Sequence, residues 1–182
     1  MRLVTISGLP GSGTSSLCRG LAEQTGWTHL NTGQVFRQQA QDAGLSLQEY
    51  GCRAEADPAI DRQLDERMVE LARKADAGCV LEGRLMGWMV SRRSLPALKV
   101  WIQAGIQTRA RRVSGRDEQT LEQATTAILE REESERLRYA EHHDIDLSDT
   151  SVYDLILDSD HTAVVELRTE VLAALGITES TQ

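Results

Sequence analysis

Short apolar runs alternate with stretches of helical spacing along this chain. Arg2 to Ser7 is apolar and β-branched and predicts a strand that stops at Gly8. Gly8 to Gly13 is a glycine-rich turn. Thr14 to Glu23 then carries Leu17, Leu21 and Ala22 on one helical face. Gln34 to Ala43 predicts a second helix. Ser46 and Glu49 have capping-box spacing, and Asp57-Pro58 starts another helix, because proline lacks the donor that the first helical position leaves unpaired. Ile60, Leu64, Met68, Leu71 and Ala75 repeat at helical spacing until Gly78 stops them. Cys79-Val80-Leu81 predicts a buried strand ending in Glu82-Gly83, and Leu98 to Ile102 another. Ile106 to Val113 and about Leu121 to Glu141 predict polar helices. Tyr153 to Leu157 is the last strand and Thr162 to Leu175 the last helix. Strands alternating with helices imply a parallel sheet covered on both faces. Residues 110–148 are too polar to be core throughout and are the candidate for a mobile, solvent-facing lid.

Composition narrows the class. With 182 residues, 40% hydrophobic and 26% charged, the chain suits one soluble globular domain. Its net charge of -8 argues against a general nucleic-acid binder, which needs surplus cations to release counterions. No apolar run approaches the roughly 20 residues of a membrane span. The three cysteines (Cys18, Cys52, Cys79) form no disulfide framework and no zinc spacing. No charged-then-apolar leader precedes Leu3, so a cytoplasmic protein is expected. Of the 20 basic residues only Lys74 and Lys99 are lysine; the rest are arginine.

That scarcity matters at the glycine turn. Gly8-Leu9-Pro10-Gly11-Ser12-Gly13-Thr14-Ser15 fits the P-loop pattern, in the right strand-turn-helix context, except at one position. Glycines let backbone N–H groups form an anion nest, and the helix N-terminus adds its positive end. Ser15 stands where the motif's hydroxyl would ligate Mg²⁺. Thr14 stands where the motif has the lysine that reaches the β and γ phosphates. Neither Lys74 nor Lys99 lies in a segment expected to reach them, so arginine, metal or backbone must neutralise that charge.

Other residues have two readings each. Arg37 alone reads as a solvated helix arginine. Arg84 lies just past the carboxyl end of a buried strand, where open parallel sheets bind ligands, or it makes a surface salt bridge. Glu82, at the same strand end, could orient a Mg²⁺-bound water or ion-pair near Arg84. Arg109, Arg112 and Arg116 share one helical face and call for an anion, either phosphate or the next helix's carboxylates. Arg131, Glu135 and Arg138 share a face too, in a stretch that also reads as a salt-bridged surface helix. Trp88 and Trp101 read as core or hinge, and Trp27 as packing under the first helix. His142-His143, with Asp144 and Asp146, reads as a solvated loop rather than a metal site.

Several segments together carry a resemblance. They are Ile6 to Gly13, Asn31-Thr32-Gly33-Gln34-Val35-Phe36-Arg37, Leu81-Glu82-Gly83-Arg84-Leu85-Met86-Gly87-Trp88, the arginines around Arg109, Glu130 to Glu135, Arg138-Tyr139, and Ser151 to Leu155. In order and spacing the chain, from Val4 to about Leu175, resembles the short, archaeal-type cytidylate kinases among the P-loop nucleoside monophosphate kinases. Adenylate, shikimate and gluconate kinases share the loop but not the Glu-Gly-Arg-Leu-x-Gly-Trp segment. The resemblance implies an α/β, P-loop NTPase-type three-layer fold, with a central parallel five-stranded sheet flanked by helices. It implies one domain with a core (1–30, 76–105, 149–177), a monophosphate-binding region (about 31–75) and a lid (about 106–148). It implies transfer of the γ-phosphoryl group of ATP, with Mg²⁺, to CMP or dCMP. Gly8 to Gly13 with Thr14, Ser15 and Ser16 would bind the ATP phosphates. Thr32, Arg37, Gly83, Arg84, Arg131, Glu135 and Arg138 would bind the acceptor. Arg109, Arg112 and Arg116, with Thr14, would serve catalysis, and Ser15 and, through water, Glu82 would hold the metal. The expected partners are small nucleotides, with neither nucleic acid nor membrane, and the expected state is a monomer. Another small acceptor, or a pseudokinase lacking the loop lysine, stays open; three arginines retained on one lid face favour activity.

Overall fold

The computed structural model describes residues 2–177. Five parallel strands form one sheet: β1 (Leu3–Gly8), β2 (Thr28–Asn31), β3 (Cys79–Glu82), β4 (Leu98–Gln103) and β5 (Leu155–Asp158), in the order β2-β3-β1-β4-β5. Among the described residues eight helices accompany them, seven between strands and one after the last: α1 (Thr14–Thr25), α2 (Thr32–Asp42), α3 (Leu47–Ala56), α4 (Pro58–Arg73), α5 (Met86–Arg92), α6 (Ile106–Asp117), α7 (Leu121–His143) and α8 (Val164–Ala174). β1 is central, and every one of its six residues is buried. Its side chains alternate between two apolar layers. Val4 and Ile6 join Leu17 and Leu21 of α1 and Val171 of α8. Leu3 and Leu81 join Met68 of α4 and Met86 of α5. A fully buried parallel strand shows no hydrophobic alternation in sequence because both faces are covered. The three-layer fold is therefore the expected one.

Local signals set most of the boundaries. Ser46 and Glu49 form the expected capping box at the start of α3. The Asp57 side chain accepts from the N–H of Ala59, and Pro58 is the first residue of α4. Thr120 and Gln123 make a second capping box, on α7. β2 and α5 carried no clear signal. β2 is a four-residue edge strand reading Thr-His-Leu-Asn, and α5 is a seven-residue helix interrupted by Gly87. A Cβ on Gly87 would lie 2.4 Å from the Tyr153 ring, so packing and not helix propensity selects glycine there.

The last strand starts later than the apolar pattern suggests. Asp154 N–H donates to the Lys99 carbonyl, and its carboxylate accepts from the Lys99 N–H, both at 2.8 Å. A side chain thus stands in for a strand carbonyl, and regular pairing begins at Leu155. Tyr153 instead packs on Trp101, with ring centroids 5.2 Å apart. Trp27 packs against the α1 side of the core, over Gly78. His142 and His143 are not in a solvated loop. They occupy the last turn of α7, with side chains 2% and 7% exposed, facing Asp61 and Asp65 of α4. Burial and the neighbouring arginines push His143 down to about 4. α6 and α7 pack through a small core of their own, formed by Ala110, Val113, Ala124 and Ile128.

Candidate active site

The site lies at the carboxyl ends of β1 and β3, where the loop after β1 runs into α1. Gly11 and Gly13 adopt φ of 84° and 95°, a region in which a side chain is strained. A Cβ on Gly11 would also sit 2.7 Å from the Arg109 carbonyl. No side chain caps α1. The free N–H groups of its first turn, reinforced by the helix dipole, therefore face the loop and suit an anion.

Two arginines of α6 hold this loop from behind. Arg109 donates to the carbonyls of Ala104 at 3.0 Å and Pro10 at 3.2 Å, and it ion-pairs with Glu132. Arg112 donates to the carbonyls of Gly11 at 3.3 Å and Ser12 at 3.2 Å. It is anchored by the Ser159 hydroxyl at 3.0 Å and the Ser159 carbonyl at 2.6 Å. In a trans peptide the C=O and the following N–H point in opposite directions. Drawing the carbonyls of Pro10 and Ser12 toward α6 therefore turns the N–H groups of Gly11 and Gly13 the other way. Arg116 shares their helical face but pairs with Asp117 instead, through two bonds of 2.6 and 2.7 Å.

Thr14 and Ser15 both donate to one carboxylate oxygen of Glu82, at 3.2 and 2.5 Å. The other Glu82 oxygen meets His29 Nε2 at 2.8 Å and accepts from Asn31 at 2.6 Å. Burial alone would raise the Glu82 pKa, but the bonds from His29, Ser15 and Thr14 outweigh it and hold the group below its ordinary value. Glu82 is therefore an ionised carboxylate against a serine hydroxyl. Hard oxygen donors of this kind fit Mg²⁺. His29 was not singled out in the sequence, and Asn31 entered only as the first residue of a segment of the resemblance, with no role; both lie on the short strand β2.

Arg84 does not pair with Glu82. Its Nε donates to Glu135 at 2.6 Å and its terminal nitrogen to the Gly8 carbonyl. Arg131 donates to the other Glu135 oxygen at 2.8 Å. Burial disfavours the charged Glu135, yet Arg84 and Arg131 hold it down to about 2. Arg37 feels Arg131 and Arg116; partial desolvation first, then these two charges, lowers its pKa. Thr32 lies against Gly83, where an added Cβ would be 2.5 Å from the Thr32 hydroxyl oxygen. Arg138 is further along α7. It is buried over the rings of Phe36 and Tyr139, with its Nε 2.7 Å from Asp61, a carboxylate that sequence periodicity had assigned only to a helix. The expected acceptor residues thus fall into a group around Glu135 and a second around Asp61.

Comparison with known proteins shows the family and the fold. The model of the cytidylate kinase-like family matches residues 3–161. A cytidylate kinase from Methanoregula boonei is 46% identical over 173 residues, covering 94% of this chain and 93% of that protein. A cytidylate kinase from Pyrococcus furiosus is 46% identical over 157 residues, covering 86% and 79%. Among solved structures, shikimate kinase from Bacteroides thetaiotaomicron superposes with a TM-score of 0.65 at 10% identity, covering 96% of this chain and 98% of that one. Shikimate kinase from Acinetobacter baumannii, in complex with shikimate, gives 0.59 at 15% identity, covering 100% and 96%. The structural likeness concerns the fold alone.

Proposed function

The chain belongs to the cytidylate kinase-like family, and from that premise we propose that it transfers the γ-phosphoryl group of ATP to CMP or dCMP. The observation that carries the reading is the arginine group opposite the loop. Arg37, Arg84, Arg116 and Arg131 face three carboxylates, Glu135, Asp117 and, at the loop, Glu82. Four cations against three anions leave the group net positive. A phosphate monoester, with roughly -1.5 to -2 at neutral pH, suits a site of that sign. Thr32 and Gly83 border the same space, and the aromatic-flanked Arg138 with Asp61 is assigned to the base.

Gly11 and Gly13 present N–H groups to the donor phosphates, joined by Thr14, Ser15 and Ser16 at the start of α1, while Gly8, Leu9, Pro10 and Ser12 shape the turn around them: proline has no N–H to give, and the Ser12 N–H donates to the Leu9 carbonyl. Ser15 and, through water, Glu82 would hold Mg²⁺, which when bound neutralises charge on the transferring group. Thr14 is committed to Glu82 and does not replace the missing lysine. Arg109 and Arg112 make up for it in a different way. They are positioning residues that aim the loop's N–H groups and place positive charge behind it. Arg84 bridges the two halves, because it touches both Gly8 and Glu135. The attacking phosphate oxygen is already anionic, so the protein's work is alignment, charge neutralisation and exclusion of water.

Residues about 31–75 serve as the acceptor region and about 106–148 as the lid, whose closure would bring Arg116 to the phosphates. The protein acts as a cytoplasmic monomer on small nucleotides; its free thiols suit a reducing compartment. No helix among the described residues is long and apolar enough to cross a membrane. A coupled ADP-release assay with ATP, Mg²⁺ and a panel of CMP, dCMP, UMP, AMP and GMP tests the reading. Turnover is expected with CMP or dCMP. A preference for another monophosphate would reassign the acceptor, and no turnover with any of them would leave a nucleotide-binding pseudokinase.

A further inference from the structure

A soft thiol, a borderline imidazole and a hard carboxylate meet beside the start of α1. Cys18 comes from α1, His29 from β2 and Glu82 from the end of β3. One ligand atom from each lies within 4.8 Å of the other two. The Cys18 side chain is fully buried, whereas His29 is 21% exposed on the edge strand. His29 is thus the member of the group at the surface, and an ion reaches the enclosed sulfur only when the chain opens locally there. A tetrahedral ion with bonds of about 2.0–2.3 Å to nitrogen, oxygen and sulfur holds neighbouring ligand atoms roughly 3.3–3.8 Å apart. The His29–Glu82 separation of 2.8 Å and the 4.8 Å bound bracket that spacing, so small side-chain rotations suffice. Asn31 donates to Glu82 and orients its carboxylate, the kind of support that metal ligands ordinarily have.

We propose that Cys18, His29 and Glu82 form a binding site for a thiophilic divalent cation of the zinc class, with one coordination position left to water. The Ser15–Glu82 pair offers only oxygen and suits Mg²⁺; the thiol and imidazole make this second site selective for a softer ion. Binding forms a sulfur–metal bond, and the thiol proton leaves to solvent. Glu82 is common to both sites. Drawing it toward Cys18 and His29 withdraws it from Ser15 and Thr14, so the soft ion and Mg²⁺–nucleotide weaken each other's binding reciprocally. The site is thus an inhibitory one, placed behind the phosphate loop.

Titration of the purified protein with Co²⁺ tests the proposal optically and independently of any kinase activity. The expected result is a single equivalent bound with tetrahedral d–d bands and a sulfur-to-cobalt charge-transfer band, both abolished by added Zn²⁺. Cys52→Ser, which removes the exposed thiol of α3, keeps both bands. Cys18→Ala loses the charge-transfer band. His29→Ala, at the accessible rim, weakens Co²⁺ binding by more than about tenfold, and it tests the site on its own should the buried Cys18→Ala fail to fold. Absence of a charge-transfer band in the parent protein would overturn the proposal. So would its loss in Cys52→Ser, or an unchanged titration in His29→Ala.

Discussion

Glu135 is the residue around which the proposed acceptor group is built. It is buried between Arg84 and Arg131 and accepts from both. Its pKa of about 2 in the folded protein lies below the ordinary value near 4.5, so folding favours its ionised form. The stabilisation is complete above the unfolded pKa and is lost as pH falls from about 4.5 toward 2. Glu135→Gln should remove that pH-dependent increment. It should also cost about 3–5 kcal/mol at neutral pH, because the buried Arg84 is left without its anion; Arg131, half open to solvent, adds little. Urea unfolding of both proteins at pH 7 and at pH 3 measures this; equal differences at the two pH values would refute the assignment. At this scale the sequence was only partly legible. Arg84, Glu135 and Glu82 could be picked out as candidates by their place at a strand end or on a helix face. Their partners could not. Arg84 lies 51 positions from Glu135, and Glu82 lies 67 from Ser15 and 53 from His29. Such pairings come from the fold, and local spacing contains no trace of them. The same holds for Asp61, which sits on an ordinary amphipathic helix until Arg138 of α7 is laid against it.

Among elements, α6 and α7 have the most specific role. Their mutual core is small, with Ala110, Val113, Ala124 and Ile128, and apart from the main layers. Ile128→Ala should cost about 2–5 kcal/mol of local stability by leaving a cavity. Most of that loss should appear within the α6–α7 pair, and it should loosen the hold of Arg109 and Arg112 on the loop. Amide hydrogen exchange checks this: faster exchange confined to residues 106–130 and the phosphate loop is expected, with β1 and β4 unchanged. Faster exchange throughout the sheet would instead mean that these helices belong to the global core. The helices themselves were readable where a cap or a long periodic stretch announced them, as at Ser46, Asp57-Pro58 and along α4. β2 was not, because an edge strand of four residues with two polar ends lacks both alternation and length. α5 was not, because Gly87 answers to the Tyr153 ring rather than to the helix that contains it. β5 begins late because the Asp154 carboxylate takes over a ladder bond.

For the molecule as a whole, alternating strands and helices imply a parallel sheet. The strand order β2-β3-β1-β4-β5 is not encoded locally, and the five-stranded P-loop architecture came from the resemblance. That order is what brings the ends of β1 and β3 together, and with them the loop, Glu82 and Arg84. It also delivers α6 to the back of the loop. In this acidic protein with only two lysines, Thr14 stands at the position of the motif's lysine, and two arginines hold the loop's peptide carbonyls from behind; in the proposed mechanism they supply the missing charge from there. The most direct test of that claim is the rate of phosphoryl transfer from ATP to CMP, measured side by side in the parent protein, Thr14→Lys and Arg112→Ala. Thr14→Lys is expected to change kcat by less than about tenfold, equivalent to 1.4 kcal/mol of barrier, since the charge it brings is already supplied. Arg112→Ala is expected to lower kcat by about 10²–10³-fold, the usual cost of losing an oriented electrostatic group. A rise of a hundredfold or more in Thr14→Lys, or an unchanged rate in Arg112→Ala, would contradict it.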